Sequence, residues 1–347
     1  MEFPWTKYFS LGIVVPAFFR DIRLRRGPIL EVMRRAASDP FFQALEFSGA
    51  EDPAIRKELA GMVRACGKSL VFSGGSYCYA NQNNLHDLDE GRRKAAVENV
   101  RRIVDEAGEY GCQVLYVMGF EAPADRRAGL QKFRTSLAEL SAHARGVNPS
   151  APLTLAVENF HILIRDPFLI GPTLETAEML RNLRRDHPNL GLTFDTSHIL
   201  QLQEDLPSTY RSVRDVIAHV HLSNCLLRDR ASPFYGDKHP PYGLPGSEIG
   251  IAELAAFLKV LKDAGHFERA FPTGKPVLSL EIITPANQTP EKTLAEAKEA
   301  FLSAWKKFEI AEGRGPSLLT KKLNPNDSLN PQNLETREPC RIPILSA

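Results

Sequence analysis

The segment LTLAVE, residues 153–158, is a short apolar run that ends in a carboxylate, and the same arrangement returns three times downstream: GLTFD at 191–195, IAHVH at 217–221 and VLSLE at 277–281. Each run delivers a metal-type side chain, Glu158, Asp195, His221 or Glu281, at the C-terminal end of an expected strand. Parallel α/β sheets and barrels keep their active sites at that end. Side-chain parity adds a second signal, because successive residues on a strand point to opposite faces. Thr154, Ala156 and Glu158 share one face, as do Gly191, Thr193 and Asp195, and Val277, Ser279 and Glu281. The opposite faces carry Leu155 and Val157, Leu192 and Phe194, Leu278 and Leu280, which suits packing beneath helices. The seventh strand follows the rule less cleanly: Ile217, His219 and His221 share a face, opposite Ala218, Val220 and Leu222.

Working outward, short β-like runs alternate with helical patterns along the chain, the signature of a parallel sheet with crossover helices. Strands are expected near 11–15, 44–47, 69–72, 114–117, 153–157, 191–194, 217–222 and 277–282. Helices are expected near 28–37, 54–66, 90–110, 127–145, 174–186, 210–216, 251–264 and 290–308. Eight such pairs at this length predict an α/β fold, a (β/α)8 TIM barrel over residues 1–311 with an irregular C-terminal extension, 312–347. No GxGxxG follows the first strand, which removes the main support for a dinucleotide fold. Asp87 and Glu90 have capping-box spacing ahead of the third helix, Thr289-Pro290 suits a helix start, and Gly111 suits a left-handed C-cap. Two long loops, 74–89 and 223–250, are expected over the barrel mouth.

Composition bounds the function. Lys and Arg total 43 against 42 Asp and Glu, a net charge of +1 that gives no global attraction to nucleic acid or an anionic membrane surface. The run from Tyr8 to Phe19 is interrupted by Pro16 and followed by five charged residues before Gly27, so it reads as a first strand and loop rather than a signal sequence. Five cysteines, odd in number and without CxxC spacing, favour reduced thiols used for packing in a cytoplasmic setting.

The motifs AVEN (156–159), TFDTSH (193–198), HVHL (219–222), DKH (237–239) and SLEI (279–282) together resemble the sugar phosphate isomerase/epimerase superfamily of xylose isomerase-like barrels. The resemblance covers roughly Leu11 to Phe308 and is strongest from the fifth strand onward. It implies one divalent cation held by Glu158, Asp195, His221 and Glu281. Three carboxylates and one imidazole make a hard donor set, expected to take Mn2+ first, with Mg2+, Co2+ or Zn2+ as alternatives. The resemblance further implies proton transfer next to a sugar carbonyl, with Glu158 and Glu281 removing and returning the proton, and His198, on the loop above the metal, contacting substrate oxygens.

Departures from the family pattern sharpen the expectation. Ile164 stands where sugar epimerases of this group often carry an acid, and His161 three residues past Glu158 is a candidate proton carrier. Arg228 and His239 are candidate substrate contacts. The opening SLGIVVPAFF with RGPILEVM loosely resembles the large subunits of C-glycoside deglycosidases, which implies a carbon–carbon lyase acting on 3-oxo-C-glycosides with a small partner subunit. An endonuclease IV-like nuclease is disfavoured, because Ser73-Gly74 and Met118-Gly119 occupy positions where its extra histidines would stand. A catalytically silent barrel is the remaining alternative. The leading expectation is a sugar isomerase or epimerase with a small carbohydrate substrate, no nucleic-acid or membrane partner, and a homo-oligomeric state. His219, one layer deeper than His221, is expected to support the site from outside the ligand shell. His86, His143, His187 and His266 read as surface residues, and the run Asp21–Arg26 as a solvated loop.

Overall fold

A computed structural model describes residues 3–160 and 168–313 of the chain. Eight strands, β1 (Ser10–Val14), β2 (Ala44–Phe47), β3 (Ser69–Ser73), β4 (Val114–Met118), β5 (Thr154–Glu158), β6 (Leu190–Asp195), β7 (Ile217–Ser223) and β8 (Val277–Glu281), form a closed parallel ring in sequence order. The ring closes where Gly12 of β1 pairs with Ser279 of β8. Eight crossover helices lie between and after the strands: α1 (Ile29–Ser38), α2 (Pro53–Ala65), α3 (Glu90–Tyr110), α4 (Arg126–Val147), α5 (Thr173–Leu183), α6 (Leu206–Val213), α7 (Ile251–Asp263) and α8 (Pro290–Ala311). The expected (β/α)8 barrel is therefore the observed architecture. Of the expected C-terminal extension only Glu312 and Gly313 fall within the described residues.

The two faces of each strand part as parity requires. Leu155, Val157, Leu192, Phe194, Leu278 and Leu280 are fully buried. Toward the axis, Ala44, Val71, Val114, Tyr116, Ala156, Ala218 and Val277 form one contiguous layer of mostly small side chains. Ala218 belongs to this layer because the β6–β7 register shifts: Leu192 pairs with Ile217, but Thr193 pairs with His219, so Ala218 is an extra residue. The shift explains why β7 breaks simple alternation. Gly191 makes room for it, since a Cβ at that position would lie 2.6 Å from the Ala218 Cβ.

Below the ring, a 3-10 turn at Pro4–Lys7 sets Trp5 against α8. Its ring centroid lies 5.2 Å from Phe301 and 6.0 Å from Trp305, and both indoles are fully buried. The start of β1 is thereby fastened to the last helix of the barrel.

Local signals mostly fall where chemistry places them. Thr289 caps α8 ahead of Pro290, and Gly111 ends α3 at φ 78°. The N-cap of α3 is Asp89, whose Oδ1 accepts from Arg92 N at 2.8 Å, rather than the expected Asp87, which instead binds the Arg92 guanidinium. The loop after β3 contains a helix at Gly75–Ala80, and the helix expected at 210–216 lies earlier, at Leu206–Val213, followed by a 3-10 turn. Asp205 caps that helix at Ser208 N, a start signal the periodicity reading passed over. Arg25, expected in a solvated loop, is buried at φ 64°. It donates to Glu106 Oε2 at 2.5 Å and Ala50 O at 3.0 Å, with its guanidinium 4.9 Å from the Tyr77 ring. Among the described residues no helix is long and apolar enough to cross a membrane.

Candidate metal centre

The four strand-end side chains converge at the top of the barrel. Ligand atoms of Glu158, Asp195, His221 and Glu281 all lie within 4.8 Å of one another. His221 Nδ1 stands among them, 3.0 Å from Glu158 Oε1, 2.9 Å from Glu281 Oε2 and 3.6 Å from Asp195 Oδ2. Residues drawn from β5, β6, β7 and β8 meet because the closed ring brings those strand ends round a common axis.

Asp195 divides the work of its two oxygens. Oδ1 caps the helix Thr196–Gln201, accepting from Ser197 N, His198 N, Ser197 Oγ and Ser223 Oγ at 2.5 to 3.0 Å. Oδ2 is buried without any hydrogen bond, and so is Glu281 Oε2. Two carboxylate oxygens left in this condition are costly unless a cation faces them. The electrostatics agree. Burial alone would hold the His221 imidazole neutral, but the Glu46 and Glu281 charges drive its pKa well above the ordinary range. Burial raises the Glu158 carboxyl, against the pull of His221. Burial would raise Asp195 as well, yet His198 and His221 hold it well below the usual carboxylate range. The donor set is hard, anionic and convergent, and it fits one divalent cation.

A second group flanks the first. His198 sits on the short helix Thr196–Gln201 rather than on the loop the sequence suggested, so its backbone is fixed by the Asp195 cap. Its Nε2 lies 3.1 Å from Asp237 Oδ1, and the same oxygen lies 3.1 Å from His239 Nε2. His239 Nδ1 is 3.2 Å from Ser197 Oγ. Burial opposes charge on both rings, but Asp195 and Asp237 raise His198 to about 10, and Glu281 and Asp237 raise His239 to about 9. The Phe160 ring covers His198 at 4.4 Å between centroids. Tyr242 donates to Leu222 O at 2.6 Å, anchoring the β7 loop to its own strand. Glu281, with 14% of its side chain exposed, is the most open of the four converging residues.

The remaining candidates part company. His239 joins the site, while Arg228 is 79% exposed and pairs with Glu248 Oε2 at 3.3 Å, away from the cluster. His161 lies outside the described residues. His219 meets Ser279 Oγ at 3.0 Å and Glu46 Oε2 at 3.3 Å, inside the barrel as expected. Burial pushes its pKa down to about 3. Two histidines assigned to the surface are buried: His86 Nε2 lies 3.1 Å from Glu121 O, and His266 Nδ1 lies 2.6 Å from Tyr210 Oη. His86 lies in the loop ahead of α3 and His266 opens a 3-10 turn at His266–Glu268, places where linear pattern does not reveal the covering residues.

Glu46 on β2 is the residue that sequence reading missed. It is fully buried, with Oε1 3.0 Å and Oε2 3.1 Å from His221 Nε2, and it accepts from Ser73 Oγ at 3.0 Å. A signal was present. ALEF at 44–47 is a strand with one acid on the inward parity of Ala44, the same signature that marked Glu158.

Comparison with known proteins adds the lineage. Residues 35–305 match the family model described as xylose isomerase-like TIM barrel. A solved D-tagatose 3-epimerase-like protein superposes with a TM-score of 0.64 at 18% identity, covering 87% of this chain and 99% of that one. The IolI protein with a bound zinc atom gives 0.64 at 15% identity over 86% and 99%. The 3-keto-D-glucoside 4-epimerase YcjR from E. coli, in its apo form, gives 0.60 at 14% identity over 86% and 99%. At such identities these likenesses establish the shared fold. No curated protein matches the chain by sequence. Closed parallel ring, convergent strand ends and a family match spanning β2 to α8 lead to one assignment: the chain belongs to the xylose isomerase-like TIM barrel family.

Proposed function

We propose that the chain is a divalent-metal-dependent enzyme that isomerises or epimerises a sugar or keto-sugar by removing and returning a proton next to its carbonyl. The observation that carries the reading is His221 Nδ1 facing oxygens of Glu158, Glu281 and Asp195 at 2.9 to 3.6 Å, two of which have no hydrogen bond. When bound by these four residues, a divalent ion such as Mn2+ supplies Lewis-acid stabilisation of negative charge on the substrate's oxygens. Glu158 and Glu281 are the carboxylates that take and return the proton. His198, held at Nε2 by Asp237, orients a substrate hydroxyl, and Phe160 shields that side from water. His161, three residues beyond Glu158, is a further proton carrier in this scheme. Several proteins of similar structure are sugar epimerases or epimerase-like, which supports carbohydrate as the substrate class.

The test is solvent exchange. Mn2+-loaded protein incubated in D2O with ketohexoses and 3-keto-glycosides is expected to place deuterium on the carbon beside the carbonyl of at least one of them, read by NMR. A chelator abolishes the exchange and added Mn2+ restores it. Product analysis separates epimerisation from elimination, because both begin with the same proton removal. Metal-loaded protein that exchanges no proton in any of these substrates refutes the proposal.

A further inference from the structure

We infer that Glu46 is the positioning residue of the metal centre, holding the far nitrogen of His221 so that the near one is presented to the cation as a lone pair. The inference rests on the reading of Glu158, Asp195, His221 and Glu281 as ligands, and it concerns a residue outside that set. A neutral imidazole carries one N–H. Placed on Nε2, that hydrogen points at the Glu46 carboxylate 3.0 Å away, and the Nδ1 lone pair is left free for a cation held among the three ligand carboxylates. Placed on Nδ1, it would occupy the coordination position and set the bare Nε2 lone pair against a carboxylate at 3.0 Å. With a cation among the ligand oxygens the second arrangement is unfavourable at both nitrogens, so Glu46 and the cation together select the first. Its charge also makes the ring a stronger donor, as carboxylates behind ligand histidines do elsewhere.

Glu46 is itself held from three sides. Ser73 Oγ on β3 donates to Oε1 at 3.0 Å, His219 Nε2 on β7 lies 3.3 Å from Oε2, and β2 is locked in the ring between β1 and β3. His219 is in turn 3.0 Å from Ser279 Oγ on β8. Gly12 on β1 leaves the space for that hydroxyl, since a Cβ there would lie 2.6 Å from it. The Tyr116 ring stands edge-on to His221 at 5.4 Å and limits rotation of the imidazole. His219 and His221, two apart on β7, share a face and both reach Glu46 from one strand. Six strands thus contribute to the orientation of one ligand.

Glu46, His219 and His221 also bring ligand atoms within 4.8 Å of one another, so the experiment must distinguish a support from a second binding site. Isothermal titration of Co2+ into the full chain is expected to show one equivalent for the parent, and one equivalent bound roughly 10–100-fold more weakly by Glu46→Gln. Glutamine keeps the volume and a carbonyl acceptor, so the loss follows the charge. Equal affinity within twofold overturns the inference while leaving the ligand set standing. A parent that binds no ion overturns both. Two equivalents in the parent and one in the variant replace the positioning role with a second site. Should Glu46→Gln fail to fold, the Co2+-loaded parent carries the test in its NMR spectrum: the ring N–H of the ligated histidine is expected as a shifted, slowly exchanging signal. A missing or solvent-fast signal overturns the inference.

Discussion

Two layers of the barrel interior, separated by one step of two residues on the same strands, behave as different materials. The deeper layer runs through Ala44, Ala156 and Val277 and holds no ionisable side chain but the Tyr116 phenol. One step up, Ala44 gives way to Glu46, Val71 to Ser73 and Ala156 to Glu158, while Val277 is followed by Ser279 and then Glu281. The lower layer is hydrocarbon that closes the ring. The upper layer concentrates carboxylates and imidazoles whose burial is tolerable only because each faces an opposite charge or a donor. The difference teaches that the strands serve as rulers: the pleat fixes which rows face the axis, and height along the strand decides whether a row stabilises the fold or does chemistry.

The contrast can be broken from either side. Glu158→Gln and Glu281→Gln, in the upper layer, are expected to lower turnover by roughly 10²–10⁴-fold each, the usual weight of a positioned proton carrier, with circular dichroism unchanged. Steady-state kinetics on the substrate found by deuterium exchange would check this, and full activity in both variants would dismiss their role. Gly191→Ala lies at the junction of the layers, where the new methyl would meet Ala218 at 2.6 Å. It is expected to cost about 1–3 kcal/mol in denaturant unfolding and to disturb metal affinity as β7 shifts. Val71→Ala, wholly in the lower layer, removes two buried carbons and should cost about 1.5 kcal/mol while the folded fraction keeps its kcat and its metal affinity. A change in metal affinity there would blur the division. The smallest effect concerns the thiols. Cys66 is half-exposed, whereas Cys78, Cys112 and Cys225 are buried and burial lifts all three pKa values, Cys78 to about 12. Among these four, peptide mapping after iodoacetamide at pH 8 should find Cys66 alone modified, with activity retained.

Most of the ring was legible because parallel barrel strands announce themselves twice, once by an apolar run and once by parity. Glu158, Asp195, His221 and Glu281 each close such a run, so their convergence could be anticipated from spacing that never exceeds one strand. Glu46 follows the same rule on β2 but lies in a four-residue strand, one residue before Phe47, so it does not close its apolar run as the other four do. No periodicity can accumulate over the six residues of Thr196–Gln201, so the sequence around His198 reads as a loop. Arg25, His86 and His266 show the other limit: what buries them comes from Glu106, Glu121 and Tyr210, distant in sequence, and nothing beside them in the chain records those partners.

The junction of Trp5 with Trp305 gives the molecule a built-in reporter. These are its two tryptophans, and both lie where the first strand meets the final helix, across nearly the whole sequence. Intrinsic fluorescence therefore speaks for the seam of the ring rather than for the body of the protein. During synthesis the seam has to wait until α8 has left the ribosome, so a blue shift of the indole emission marks the moment the cylinder shuts.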